Sequence, residues 1–107
     1  MKIKVGTCEE QTTNGHTYPL AIMFPALVDV ECLPVTGVDG TTLVGVASNF
    51  NIDGNTIYAT VIIKDPVINQ MLTDGDIRGG LVGRGLIDDN GIIADYTLLG
   101  VQMILNT

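Results

Sequence analysis

Few side chains in this sequence are of the types that carry out nucleophilic catalysis. The chain has one serine, Ser48, one histidine, His16, and two cysteines, Cys8 and Cys32. Catalysis of this kind needs a nucleophile, a base that activates it and usually a group that orients the base. His16 follows the turn sequence TTNG, which predicts a solvated loop residue, and Ser48 is predicted to be a solvent-facing strand hydroxyl. The cysteines lack CxxC spacing, which favours a buried pair of free thiols. We therefore predict no catalytic residue.

Metal and phosphate sites are not predicted either. The acidic residues gather at turns such as TDGD (73–76) and DDNG (88–91), but neither segment matches the spacing of a calcium loop. Asp, Asn and Gly are also the residues from which tight turns are built. A phosphate-binding P-loop needs Lys followed by Ser or Thr, and the chain has no such pair. The sequence predicts no metal and no cofactor.

The glycine-rich segment DIRGGLVGRGLIDDNGIIADY (76–96) is the most distinctive part of the chain. A dinucleotide-binding loop needs a strand before its glycines and a helix after them, whereas here a predicted helix comes first and a strand follows. Glycines inside a strand indicate bulges, strong coiling or the close approach of another backbone. We predict a contact surface for protein partners here, formed by Gly79, Gly80, Leu81, Gly83, Arg84 and Gly85.

Composition limits the classes of function that fit the chain. Its 107 residues predict a single domain, 1–107, and the net charge is −7 with only five lysines and arginines. Dispersed cations give no phosphate-binding footprint, so nucleic acid is not an expected partner. Hydrophobic residues make up 46% and charged residues 16%, which favours self-association. We find no signal peptide and no apolar run of membrane-spanning length, so we expect synthesis in the cytoplasm and no membrane partner.

The elements that would position these residues are mainly strands. Four glycine turns, centred on Gly15, Gly40, Gly54 and Gly91, predict hairpins. Apolar residues alternate with other residues over 28–32 and 57–63, as in half-buried strands. One short helix is predicted near residues 65–74, with Asp65 as its N-cap and a glycine after its last turn.

Two long strands are predicted to follow this helix. They span residues 77–87 and 92–105, and the Asp-Asn-Gly turn joins them. The second should bend or bulge at Gly100, because a strand of that length rarely runs straight. The fold class is therefore mainly β: a small, about seven-stranded β-barrel, closed or partly open, with one short α-helix.

In the second half of the chain, a strand leads through KDP into a short helix, then into DGxxRG, a glycine-bearing strand, an Asp/Gly turn and a long apolar strand, over about residues 56–105. This order of elements resembles the phage prohead (capsid maturation) protease domain. In that family the glycine-bearing strand carries the nucleophilic serine. The segment RGGLVGR places Leu81 at the serine position, and the N-terminal half offers no histidine on a barrel strand. The resemblance implies a protease-like barrel without its catalytic serine and histidine.

These observations favour a noncatalytic phage virion protein over two other classes. We expect a capsid-associated auxiliary or decoration protein that is made in the host cytoplasm and then joins the virion, with capsid protein as partner and with self-association. One alternative is a small acidic binding module or inhibitor, such as a phage anti-defence factor, that binds a basic partner. The other is a small hydrolase, which would require Ser48, His16 or a cysteine to come together in space.

Overall fold

The fold was obtained as a computed structural model that describes residues 1–12 and 14–106. This part of the chain contains six strands and two helices. In chain order they are β1 (Lys2–Thr7), α1 (Leu20–Val28), β2 (Cys32–Thr36), β3 (Leu43–Asp53), β4 (Thr56–Ile63), α2 (Pro66–Asp74), β5 (Ile77–Ile87) and β6 (Ile93–Leu105).

All six strands belong to one curved sheet, in the order β1-β4-β3-β2-β6-β5. Neighbouring strands are antiparallel except β2 and β6, which pair in parallel through Val35 and Thr36. The curvature brings the two edge strands, β1 and β5, against each other without joining them in the hydrogen-bonded ladder. A mainly β, barrel-like fold is confirmed; in place of the predicted closed or partly open barrel of about seven strands, the described residues form a half-barrel of six.

The core lies inside this half-barrel and is almost entirely aliphatic. Ile57, Ala59 and Val61 alternate along β4 and are buried, which confirms the period-two pattern predicted for that strand. The side chains with almost no exposed surface are Met23, Ile57, Met103, Val35, Val61, Val101 and Cys8.

Helix α2 has the predicted capping residues. The Asp65 carboxylate accepts hydrogen bonds from the backbone N–H groups of Val67 and Ile68, and Pro66 occupies the first turn, where no backbone donor is needed. Gly75 ends the helix in the left-handed conformation with φ of 79°. The prediction of a helix near 65–74 is confirmed.

Helix α1 was not predicted, and the strand expected over 28–32 is wrong. Val28 ends the helix, and β2 begins only at Cys32. Met23 and Leu27 are buried one turn apart against β3 and β6, so tertiary burial outweighs the helix-breaking effect of Pro25. Both helices have nine residues, and no helix in the described part of the chain is long and apolar enough to cross a membrane.

The four predicted glycine turns are all present. Gly15, Gly40, Gly54 and Gly91 each have a positive φ, between 62° and 84°, in the connection where a turn was expected. Three of these turns connect β2 to β3, β3 to β4 and β5 to β6, and the fourth lies inside the small loop closed by the bridge from Gln11 to Thr17. A side chain at these φ values would be strained, which explains the glycines.

Candidate interaction surface

The predicted glycine-rich surface lies on the β5–β6 hairpin. The two strands pair from Ile77 opposite Leu105 to Ile87 opposite Ile93, so the predicted strand bounds hold to within one residue. β6 has two residues more than β5, and two bulges absorb the difference. One bulge leaves Leu99 without a partner, next to the predicted bend at Gly100, and the other leaves Ala94 without one.

The two bulges keep the apolar side chains of β6 on the inner face of the sheet. A strict alternation would turn part of this strand outward, because side chains change face at every residue. Each unpaired residue shifts the alternation by one position, and the inward-facing series is Ile93, Tyr96, Leu98, Val101 and Met103. All of these except the half-buried Tyr96 are buried.

The first half of β5, residues 77–81, packs against β1, and we call it the seam half. A Cβ on Gly79 would lie 2.8 Å from Ile3 Cδ1 and 3.1 Å from Val5 Cγ1. The Leu81 side chain lies over Gly6, with its Cδ1 3.3 Å from where a Cβ on Gly6 would be. Because neither Gly6 nor Gly79 has a side chain, β1 and β5 can lie close to each other.

No strand of the described residues lies beyond the second half, residues 82–87, and we call it the free half. All six of these residues are exposed. β1 ends at Thr7, and the chain bends away through Glu9, whose φ is +64°. Because β1 is six residues long and β5 is eleven, β1 covers only the seam half. The exposed fraction is 68% for Leu86 and 46% for Ile87.

The glycines of the free half make room for one aromatic side chain. A Cβ on Gly83 would overlap the Tyr96 ring and lie 2.6 Å from the carbonyl oxygen of Thr97. The Tyr96 ring packs edge-on against Tyr18, with the ring centroids 5.8 Å apart. Burial, and secondarily the charge of Tyr18, raise the pKa of the Tyr96 hydroxyl to about 12. Tyr96 thus holds the inner face of the free half onto the rest of the fold.

The backbone of β5 points alternately towards β6 and away from it. Asp76 O accepts from Asn106 N at 3.0 Å, and Asp88 N donates to Ile92 O at 2.9 Å, so these even-numbered residues face β6. Both bulges lie on β6, so the alternation along β5 is unbroken. The backbone N–H and C=O groups of Gly83, Gly85 and Ile87 therefore point outward at an open sheet edge.

The six residues predicted as a contact surface thus divide into two groups. Gly79, Gly80 and Leu81 are buried or half-buried in the seam half, where they pack against other parts of the same chain. Gly83, Arg84 and Gly85 are exposed in the free half. Only the second group is available to a partner.

The residues considered for catalysis lie on separate elements. Ser48 is half-buried in the middle of β3, opposite Cys32 and Thr60. His16 is half-buried in the loop before α1, where its carbonyl oxygen accepts a hydrogen bond from the Thr12 hydroxyl and its backbone N–H donates one to Asn14 Oδ1. The two cysteines are free, but they are not a buried pair, because Cys8 is buried and Cys32 is exposed.

The turn aspartates have structural partners. Asp39 accepts hydrogen bonds from the Thr42 hydroxyl and from the backbone N–H groups of Thr42 and Thr41, and these bonds lower the pKa of its carboxyl to about 2. Asp88 Oδ1 accepts from Asn90 N and Ile92 N at the tip of the hairpin. Among the residues that the structure describes, no three His, Cys, Asp or Glu side chains form a group that could hold a metal ion.

A second exposed apolar surface lies on α1, the helix that was not predicted from the sequence. Phe24 and Val28 are four residues apart on the helix, are 60% and 59% exposed, and border a cleft of about 200 Å³ with Phe50 and Ile52. The signal that could have identified the helix is the spacing of Met23 and Leu27 on its buried side. This surface offers side chains alone, whereas the free half of β5 offers side chains and backbone groups together.

Comparison with protein-family models, with curated proteins and with solved structures finds no match to this chain.

Proposed function

We propose that this chain is a noncatalytic structural protein of a phage virion, which binds capsid protein through the free half of β5. The observation that carries the proposal is the open edge at residues 82–87, where outward-pointing backbone groups and exposed apolar side chains occur together. An exposed strand edge binds an extended segment of another protein by adding a strand to the sheet.

The physical cost of leaving this edge open supports a binding role. Unpaired edges risk aggregation, and proteins usually protect them with short strands, charged residues, prolines or bulges. β5 has eleven residues, no proline and no bulge of its own, and its free half has one charged side chain, Arg84. Leu86 and Ile87 lose their contact with water if a partner covers this edge, and that burial favours binding.

The choice of capsid protein as the partner rests on the resemblance to prohead proteases. Leu81 stands where that family has its serine, and its side chain packs over Gly6 inside the seam. A protease-like barrel in which Leu81 packs within the fold, at the position of the catalytic serine, is consistent with a protein that contacts capsids without cleaving them. The protein would be made in the host cytoplasm and would then join the virion.

The test is binding to purified capsids of the phage whose genome encodes the chain. The protein is labelled at the exposed Cys32 thiol and centrifuged with capsids at increasing concentration. We expect wild type to sediment with the capsids and Leu86→Lys to bind at least tenfold more weakly, since a lysine at an open edge opposes strand addition. Val67→Lys is the matched control, because Val67 is 67% exposed on α2 and Leu86 is 68% exposed on β5.

Two results would contradict the proposal. If wild type remains in the supernatant at every concentration, capsid protein is not the partner. If Leu86→Lys and Val67→Lys bind as well as wild type, the free half of β5 is not the contact surface.

A further inference from the structure

We infer that the free half of β5 pairs with the same strand of a second copy, in antiparallel orientation about a twofold axis. The inference rests on the proposed function, because it names what covers the capsid-binding edge while no capsid is bound. The resulting dimer would have one continuous twelve-stranded sheet, six strands from each copy. The second copy takes the place of the capsid segment at this edge, so the free protein is the dimer and the capsid-bound protein is not.

The outward-pointing backbone groups decide which pairings are possible. In an antiparallel ladder the two residues that exchange hydrogen bonds must both point their N–H and C=O groups at each other. On β5 these are the odd-numbered residues, Gly83, Gly85 and Ile87. Gly85 of one copy can therefore exchange two hydrogen bonds with the partner's Ile87, and the twofold axis repeats this exchange.

Charge complementarity selects this register among its neighbours. When Gly85 faces the partner's Ile87, Arg84 lies directly opposite the partner's Asp88, so two ion pairs form across the dimer. Shifting the register so that Gly85 faces the partner's Gly83 would place Arg84 opposite the partner's Arg84, which is unfavourable. A register in which Gly85 faces the partner's Gly85 would place Arg84 opposite the partner's Leu86. Neither Arg84 nor Asp88 would then lie opposite a residue of the other charge.

The same register covers the most exposed side chain of the hairpin. Leu86 falls on the twofold axis and meets the partner's Leu86 in a non-hydrogen-bonded pair, where opposing side chains are closest. Both side chains point to the outer face, the face of Arg84 and Thr97. A self-complementary patch of this kind is what a twofold homodimer requires, since each residue meets its symmetry mate.

A cross-linking experiment tests both the dimer and its register. Opposing Cα atoms in a non-hydrogen-bonded pair are about 4.5 Å apart, which lies within the range that a disulfide spans. In a Cys32→Ser background, which removes the exposed native thiol, we expect Leu86→Cys to form a covalent dimer under mild oxidation. Val67→Cys in the same background, with equal exposure at the substituted site, should stay monomeric. A monomeric Leu86→Cys, or equal cross-linking of both variants, would overturn the inference.

Arg84→Glu provides a second measurement that needs no introduced cysteine. In the proposed register it places a second carboxylate opposite the partner's Asp88, so we expect at least a tenfold weaker dimer by sedimentation equilibrium, while Arg84→Lys keeps dimer formation near wild type. A dimer unchanged by Arg84→Glu would contradict the register. Failure here is distinguishable from failure of the proposed function. Capsid binding by a protein that never dimerises overturns only this inference, and a wild-type protein that dimerises but binds no capsid at any dilution overturns only the proposed function.

Discussion

The two halves of β5 pair with the same strand, β6, but they differ in what lies on their other side. The seam half, residues 77–81, packs against β1, whereas the free half, residues 82–87, faces no further strand in the part of the chain that the structure describes. Both halves contain two glycines, so glycine content alone does not distinguish a packing strand from an open edge. The difference comes from the length of β1, which ends at Thr7 and leaves the remainder of β5 uncovered.

The glycines of the two halves should differ most in their response to alanine. A Cβ at Gly83 would lie 2.6 Å from a backbone carbonyl, which moves only if the hairpin moves, and we expect Gly83→Ala to destabilise the fold by about 2–3 kcal/mol. A Cβ at Gly79 would meet the end of the Ile3 side chain, which can turn aside, so we expect about 1 kcal/mol for Gly79→Ala. Urea unfolding of both variants measures the difference. Equal losses would show that the seam is as rigid as the hairpin.

The two leucines of β5 make a second matched comparison. Leu81 is half-buried over Gly6, and we expect Leu81→Ala to cost about 1–2 kcal/mol of unfolding free energy, below the range for a fully buried leucine. Leu86 is 68% exposed, and Leu86→Ala should change stability by no more than about 0.5 kcal/mol when the protein is monomeric. Urea unfolding at a protein concentration too low for the dimer to form measures this change. A large loss at Leu86 would mean that its side chain packs within its own chain.

Alkaline pH should weaken the contact that holds the free half in place. The pKa of Tyr96 is raised from its ordinary value of 10 to about 12 in the folded protein, so between these two values the unfolded chain loses this proton more readily than the folded protein does. The stabilisation is therefore fully present below pH 10 and is lost as the pH rises towards 12. We expect the urea midpoint of wild type to fall over this interval relative to that of Tyr96→Phe. Parallel midpoints would contradict the burial of the hydroxyl.

Local signals in the sequence were enough to predict the second half of the fold. The Asp65 cap, the left-handed Gly75 and the turn at Gly91 each fix a boundary through neighbouring residues, so α2, β5 and β6 were predicted to within one residue. Helix α1 was missed because its nine residues are apolar on all sides, so its sequence shows no polar face, and because Pro25 lies in its interior, where proline breaks helices. Its formation depends on burial against β3 and β6.

The candidate surface was predicted only in part, for a similar reason. The glycines of β5 indicated the close approach of other groups, and the structure identifies these groups as Ile3, Val5 and Tyr96. Which half of β5 stays open depends on where β1 lies. The contact between β1 and β5 joins residues more than seventy positions apart in the sequence. Nothing local to residues 77–87 carries that information.

Amide hydrogen exchange along β5, followed residue by residue, tests the central claim most directly. In dilute protein the outward-pointing amides of Gly83, Gly85 and Ile87 should exchange rapidly, while those of Arg84 and Leu86, which face β6, should be protected. Raising the protein concentration should slow exchange at Gly85 and Ile87, whose N–H groups the second copy would bind. If the amides of Gly85 and Ile87 exchange at the same rate at all concentrations and in the presence of capsids, the free half of β5 is not an interaction edge.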